Sequence, residues 1–373
     1  MSKPLILFFP FPLLSHYSRC VIVANSIRNE FEIQFSYDAK FDHLIRKAGY
    51  GSFNCENFDS QIVLNDSKKF SFQWINEVSL KKIFLSQVDC ISRLKPQLVT
   101  GDAAFTLKMA AEKCNVKMIA LINGYMSQYY RLTRKIPRMH PANRYAEKVP
   151  EPFFDRITAF MENLAFKKVH RPFNIIRRES GLQSKKNYLD ELTGDFTFIC
   201  DLPEFFPQNK LPEHYCVLGP LFYQSDENQT EMVSYPDSGK PVILVSLGSS
   251  GNWESLQLLC SDKFYGFNII TSGDEFKILK GPHITGKIFL NHHSILPFAK
   301  VMICHGGNGT IYQALAHGVP VLGITSMFEQ EWNMQQVKQL GLGESVNDLT
   351  GDELLRKIEY WIDHKPKINF VQE

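Results

Sequence analysis

Short apolar runs alternate with longer stretches of helical period between residues 5 and 201. Segments 17–31 and 104–116 carry apolar residues three or four apart, the spacing of an amphipathic helix. Apolar runs that alternate with helices in this way predict βα units and a parallel sheet. The runs predicted as strands are LILFFPF (5–11), EIQFSYD (32–38), QLVTGD (97–102), KMIALING (117–124) and FTFICD (196–201).

The same alternation restarts after a polar, charged stretch, SDENQTEMVSYPDSGK (225–240), which predicts a linker. The pattern therefore predicts an α/β protein with two Rossmann-like domains, residues 1–224 and 241–373. Ligands of such sheets bind beyond the carboxyl ends of the strands, so the cleft between the domains is the expected site. The strands predicted after the linker are PVILVSL (241–247), GFNIITSG (266–273), KIFLN (287–291), KVMICHGG (300–307) and VPVLGIT (319–325).

Residues 131–190 interrupt the alternation of the first domain. The stretch RLTRKIPRMHPANRYAEKV (131–149) is basic and punctuated by prolines, and residues 151–181 have the pattern of a long helix. We expect a helical insertion packed on the first domain. Its basic side chains are compatible with contacts to RNA or to lipid headgroups, but the sequence favours a solvated helical face.

Composition narrows the classes of protein that fit. Lys and Arg number 41 against 39 Asp and Glu, a net charge of +2, which argues against a nucleic-acid-binding protein. The eight cysteines are scattered without metal-ligand spacing, as expected of reduced thiols in a cytoplasmic protein. No apolar run reaches the roughly 18 residues of a transmembrane helix. Prolines interrupt the apolar start MSKPLILFFPFPLL, so it is interpreted as a buried strand rather than a signal peptide.

The stretch CHGGNGTIYQALAHGVPV (304–321) places glycines between an apolar strand and a helix start. Glycines allow close approach of the backbone to a ligand, and a helix start offers unpaired N–H groups and a positive dipole end. These features predict a cradle for a phosphate or diphosphate. His305 ends the strand, while Thr310 and Gln313 share one face of the helix. For His305 alone, a satisfied histidine beside the turn is the alternative.

This stretch, together with FEQEWN (328–333), resembles the donor-binding signature of inverting nucleotide-sugar glycosyltransferases with two Rossmann-like domains, the GT-B fold. The resemblance is specific over 241–350, and the family includes the UDP-glycosyltransferases and macrolide glycosyltransferases. It implies that His305 and Thr310 hold the donor diphosphate and that Gln313 stands where the family usually has a ribose-binding Glu. The other donor-binding positions that it implies are Gly248, Ser249 and Ser250 beside the phosphates, Gly306, Gly307 and Gly309 in the cradle, and Glu329 and Gln330 on the sugar hydroxyls.

In the first domain the resemblance implies a catalytic histidine at His16, although Ser15 replaces the usual preceding glycine. Its implied partner is Asp102, at the end of a later strand. A carboxylate that holds one ring nitrogen fixes the tautomer and stabilises the protonated ring. The plainer alternatives are a loop or N-cap histidine without chemistry and a helix N-cap for Asp102.

The implied function is inverting transfer of a hexose from a nucleotide-sugar, with UDP as the default nucleotide and dTDP next, to a hydroxyl of a small, apolar or aromatic acceptor. No metal ion and no cofactor besides the nucleotide-sugar is expected, because the helix terminus and the histidine take the charge of the departing diphosphate. Three alternatives stay open: an inactive nucleotide-sugar-binding protein, a sugar-nucleotide epimerase, and a lipid-linked glycosyltransferase. The last would show an exposed apolar patch on the first domain, and peripheral membrane contact is compatible with the sequence.

Overall fold

The computed structural model describes residues 3–138, 140–222, 239–248, 251–273, 275–288 and 290–366, without the side chains of residues 146, 147 and 151. The chain divides into two compact units, Met1–Tyr223 and Gln224–Glu373. Most of the predicted linker and the predicted site residues Ser249 and Ser250 lie outside the described residues.

The first unit is built on a sheet of seven parallel strands in the order β3-β2-β1-β4-β5-β6-β7. All five strands predicted from the apolar runs are present here, with ends shifted by a few residues. The strands are β1 (Leu5–Pro10), β2 (Glu32–Ser36), β3 (Gly51–Phe53), β4 (Leu98–Asp102), β5 (Lys117–Ile122), β6 (Phe196–Ile199) and β7 (Tyr215–Val217).

Helices connect these strands, as a parallel sheet requires. The predicted insertion contains one long helix, and 3₁₀ turns at Pro141–Lys148 and Tyr188–Leu192 flank it. Among the described residues, none of the helices is both long and apolar enough to cross a membrane. The helices of this unit are α1 (Leu14–Ile27), α2 (Asp42–Lys47), α3 (Ser60–Lys68), α4 (Glu77–Leu94), α5 (Leu107–Cys114) and α6 (Glu151–Glu179).

The second unit has a sheet of six parallel strands in the order β10-β9-β8-β11-β12-β13. The strands are β8 (Val242–Ser246), β9 (Asn268–Ser272), β10 (Ile284–Lys287), β11 (Ala299–Cys304), β12 (Val321–Gly323) and β13 (Gly343–Ser345). The helices are α7 (His292–Ile295), α8 (Asn308–Ala316), α9 (Phe328–Gln339) and α10 (Gly351–Asp363).

The prediction of a strand at 287–291 is wrong. The strand at this point, β10, occupies Ile284–Lys287 and pairs only with β9, so it lies at the sheet edge. Its residues are half-buried or exposed, because an edge strand is covered less than a central one. The apolar run that follows begins with Ile288, which is largely exposed, and the run misled the prediction because burial of the strand was assumed.

Each sheet has a point at which the strand order reverses. In the first unit, β1 lies beside both β2 and β4, and in the second unit β8 lies beside both β9 and β11. The loops that leave the carboxyl ends of such neighbouring strands run to opposite faces of the sheet, which opens a crevice there. Both groups of predicted site residues follow these strands.

Candidate functional site

A histidine and a carboxylate meet at the reversal point of the first sheet. Asp102 is the last residue of β4 and is fully buried, while His16 lies in the first turn of α1, just after β1. The ring nitrogen Nδ1 of His16 lies 2.8 Å from a carboxylate oxygen of Asp102. The structure therefore brings together the two residues of the predicted dyad. The alternative role of Asp102 as a helix N-cap is not seen, because α5 begins only at Leu107.

The same carboxylate is also bound by an arginine that the sequence analysis missed. Arg19 donates from Nε to Asp102 at 2.6 Å and from a terminal nitrogen to the other oxygen, and it also donates to Asn123. Burial alone would raise the pKa of Asp102, but the charge of Arg19 and then His16 outweigh it and hold the pKa below its usual value. Asp102 is thus kept ionised.

An aromatic pocket of the first unit lies next to this dyad. Phe11 contacts the ring of His16 edge-on, with 5.7 Å between ring centroids, and it also contacts Phe58 and Phe105. All three phenylalanines line the pocket. Among its polar lining residues, Gln87 accepts a hydrogen bond from Thr106. The free space among these side chains is about 10 Å³, room for about one water molecule, so the aromatic rings are closely packed here.

At the reversal point of the second sheet, β11 runs through a glycine turn into α8. Gly306 has φ +85°, a conformation that disfavours other residues, and its carbonyl accepts a hydrogen bond from buried Asn333 at 2.8 Å. The helix begins at Asn308, so the N–H groups of Gly309 and Thr310 have no acceptor within the helix. Nothing lies within 4 Å of the position of a side chain at Gly309. The geometry fits the predicted anion cradle.

His305 is held between two glycine turns. A Cβ atom at Gly248 would lie 3.0 Å from its ring, and one at Gly307 would overlap the ring at Nε2. Burial lowers the pKa of His305 to about 4, although a hydrogen bond to the backbone of Ser246 acts in the opposite direction. Its Nδ1 is buried and has no partner within the described part of the chain. Nδ1 is therefore left for another group.

Gln313 is contacted by a second histidine that the sequence analysis did not single out. His292 lies with Nδ1 3.0 Å from the side-chain oxygen of Gln313 and with Nε2 3.3 Å from the hydroxyl of Ser272. Burial lowers the pKa of His292, so the ring is neutral, and the arrangement assigns Nδ1–H as the donor to Gln313. One of the two lone pairs of the Gln313 side-chain oxygen is therefore already in use.

Comparison with known proteins shows which enzymes this chain resembles. Residues 265–370 match the model of the glycosyltransferase family 28 C-terminal domain. A "PGL/p-HBAD biosynthesis glycosyltransferase" of Mycobacterium tuberculosis is 26% identical over 336 residues, which span 88% of this chain and 77% of that protein. The chain is a GT-B glycosyltransferase.

Solved structures have the same fold as this glycosyltransferase. The glycotransferase of kitacinnamycin aligns with a TM-score of 0.72 at 15% identity, over 97% of this chain and 91% of its own. The glycosyltransferase VinC, solved in complex with DTDP, aligns with a TM-score of 0.62 at 17% identity, over 96% and 91% of the two chains. At identities this low, the alignments establish the fold alone, an architecture of two Rossmann-like parallel sheets.

The remaining predicted donor residues of the glycosyltransferase lie at the start of α9. Gln330 is buried, and its side-chain oxygen accepts a hydrogen bond from the backbone N–H of Ser326 at 2.8 Å. Its backbone packs beneath Gly306. Glu329 and Thr310 are both half-buried. Gln330 thus supports the turn beneath the cradle, and binding of sugar hydroxyls by Glu329 and Gln330 stays a prediction.

Two candidate site residues escaped the sequence analysis. Arg19 follows His16 by three residues on α1, a spacing that puts both on one helix face. His292 follows a strand of the second sheet, as His305 does. Both signals were present in the sequence, because the strand predicted at 287–291 ends directly before His292.

Proposed function

We propose that this glycosyltransferase moves a hexose from UDP-hexose to a hydroxyl of a small apolar or aromatic acceptor, with inversion at the anomeric carbon. The observation that carries this proposal is the contact of 2.8 Å between Nδ1 of His16 and buried Asp102. With Nδ1–H donating to the carboxylate, Nε2 is the basic nitrogen, and it has no hydrogen-bond partner among the described residues.

In the proposed reaction, Nε2 of His16 takes the proton of the acceptor hydroxyl as the oxygen attacks the anomeric carbon. The bond from that carbon to the nucleotide diphosphate breaks on the opposite side, which inverts the configuration. Asp102 stays ionised beside Arg19 and stabilises the imidazolium that forms. The departing diphosphate is stabilised by the N–H groups at the start of α8 and by His305.

The aromatic cluster beside His16 favours an apolar or aromatic acceptor. Phe11 contacts the proposed catalytic ring and also Phe58 and Phe105, so apolar side chains lie next to the proposed base. Aromatic compounds with a free hydroxyl group are therefore the first acceptors to screen.

The test of catalysis compares His16→Ala and Asp102→Asn with His43→Ala, which removes an exposed histidine of α2 in the same unit. Loss of general-base catalysis is expected to lower kcat by about 10²–10⁴-fold in the first two variants. Donor binding, measured by calorimetry with UDP-glucose, is expected to stay unchanged in all three. Turnover by His16→Ala at the wild-type rate would rule out the assigned base.

A second donor class, the dTDP-hexoses, is favoured by one observation, the DTDP complex of the similarly folded VinC. Parallel titrations with UDP, dTDP and GDP decide between the nucleotides. Tighter binding of dTDP than of UDP would assign the second class. In either case His305→Ala is expected to weaken binding, and a variant that binds like the wild type would remove His305 from the donor site.

A further inference from the structure

The outward face of α6 carries a continuous apolar stripe. Phe153, Ile157, Phe160, Met161 and Leu164 recur at intervals of three and four residues and so lie on one side of the helix. Between 42% and 63% of each of these residues is exposed to solvent. Single exposed apolar residues are ordinary, but five on consecutive turns form a patch that needs a partner.

The opposite side of the helix is already covered by the first unit. Phe173 and Ile176 of α6 belong to the core of that unit, and Phe166 packs against it. Loose attachment of the helix therefore does not explain why the stripe faces outward. It is the free side of a helix that is anchored along its other side.

Positive charge borders the stripe on the same face. Arg156 lies among the residues of the stripe. Lys167, Lys168 and Arg171 lie on the same side of α6, one to two turns beyond Leu164. All four are exposed, and none makes an ion pair within the described part of the chain.

The acidic residues between positions 152 and 171 do not offset this charge. Only Asp155 and Glu162 occur there, and both are half-buried. Asp155 pairs with Lys135 at 2.6 Å and Glu162 with Arg134 at 3.0 Å. The outward face therefore presents apolar and cationic groups without accessible carboxylates.

We propose that this face of α6 docks on an anionic lipid surface. Phenylalanine and leucine side chains on an interfacial helix enter the boundary between headgroups and acyl chains, while lysine and arginine bind the lipid phosphates. The sequence favoured a solvated helical face, and the five exposed apolar residues are the reason to propose a partner instead. RNA fits less well, because the stripe offers it aliphatic side chains where phosphates would lie. A second copy of this chain fits less well too, because the four unpaired cations of each copy would meet like charges.

The proposal is independent of the sugar-transfer reaction, and vesicle flotation of the whole protein tests it without an activity assay. Vesicles of phosphatidylglycerol with phosphatidylcholine are compared with vesicles of phosphatidylcholine alone, at low and high salt. We expect binding to the anionic vesicles that weakens as salt rises. No binding to either vesicle would overturn the proposal.

Two variants separate the apolar from the charged contribution. Phe153→Ser with Phe160→Ser is expected to lower the partition coefficient at least about tenfold, because the buried apolar area is lost. Lys167→Glu with Lys168→Glu is expected to lower it by a similar factor on anionic vesicles only, at about fivefold for each lysine contact.

The matched control is Val78→Ser with Leu85→Ser, which removes two exposed apolar residues from α4 of the same unit. Vesicle binding equal to that of the wild type is expected there, and circular dichroism checks that every variant is folded. Binding that survives both α6 variants would overturn the proposal. So would light scattering that shows a dimer in the wild type and a monomer in the Phe153→Ser, Phe160→Ser variant, since a second copy would then cover the face.

Discussion

The proposed donor histidine shows how a ring with a lowered pKa can respond to its ligand. The ring of His305 is neutral at pH 7, and its Nδ1 is buried without a partner among the described residues. A neutral ring carries one N–H, whereas a protonated ring donates from both nitrogens. A diphosphate beside the ring would therefore favour the protonated form.

We predict that binding of UDP-glucose takes up a proton at His305. The pKa of the unliganded ring is about 4, and a nearby diphosphate raises it, because opposite charge favours the protonated form. Affinity is therefore expected to rise as the pH falls from 7.5 toward 5, by at most about tenfold per pH unit. Calorimetry in buffers of different ionisation enthalpy measures the proton directly.

UDP-glucose is the ligand of choice because its diphosphate does not titrate in this range, unlike the terminal phosphate of UDP. His305→Gln serves as the control, since an amide can donate without taking up a proton. Its affinity is expected to be independent of pH over the same interval. A pH-independent affinity of the wild type would contradict proton uptake by His305.

At the scale of the element, the turn into α8 depends on the absence of side chains. Gly307 precedes the first residue of the helix, and a Cβ there would occupy the space of the His305 ring. The glycine is needed for close packing against the histidine, as its φ of −74° is open to any residue. The turn and the ring therefore form one fitted unit.

We predict that Gly307→Ala displaces the His305 ring and weakens binding of UDP-glucose by about tenfold to a hundredfold. This is the loss in affinity expected when one charge-assisted hydrogen bond is removed. Gly351→Ala is the matched control, because Gly351 also lies at a helix start in the second unit but faces open space. It is expected to leave affinity unchanged and to stabilise the fold by about 0.5–1 kcal/mol. Equal affinities of the two variants would show that the ring position is unimportant.

Elements with a strong internal pattern were predictable from the sequence. The central strands β1 and β8 are almost continuous apolar runs because they are buried on both faces, and α6 follows from a helical period sustained for 29 residues. The contact of His16 with Asp102 was also predictable, since both follow neighbouring strands.

The parts that were missed depend on tertiary contacts. The edge strand β10 carries no buried run, so its place is set by pairing with β9. The contact of Arg19 with Asp102 joins residues 83 positions apart, and the spacing from His16 indicates a shared helix face without indicating burial. His292 approaches Gln313 only because α7 and α8 each follow a strand of the second sheet.

At the scale of the whole molecule, each unit has its own sheet and its own hydrophobic core. Phe173 lies fully buried in the core of the first unit and Phe264 in that of the second. A domain that has a core of its own is expected to unfold as one cooperative unit. The donor cradle belongs to the second unit only.

We predict two thermal transitions, of which a nucleotide stabilises one. A donor concentration of 100 times Kd is expected to stabilise the second unit by about 2.7 kcal/mol. Phe264→Ala is expected to lower the free energy of unfolding of the second unit by about 3–5 kcal/mol, and so to lower the midpoint of the same transition. Phe173→Ala is expected to have the corresponding effect on the first unit. Calorimetric scans with and without UDP-glucose assign the transitions. An equal shift of both midpoints by the nucleotide would contradict the prediction.

The shared carboxylate of the first unit also restricts how this sequence can change over evolutionary time. Loss of Arg19 alone would leave Asp102 buried beside a histidine without its permanent counter-charge, and loss of one partner of a buried ion pair costs about 3–5 kcal/mol. Selection is therefore expected to retain Arg19 for as long as Asp102 is retained, although Arg19 has no assigned contact with either substrate. A lineage that abandons the reaction is expected to lose Arg19 and Asp102 in close succession, since each substitution becomes tolerable once the other has occurred.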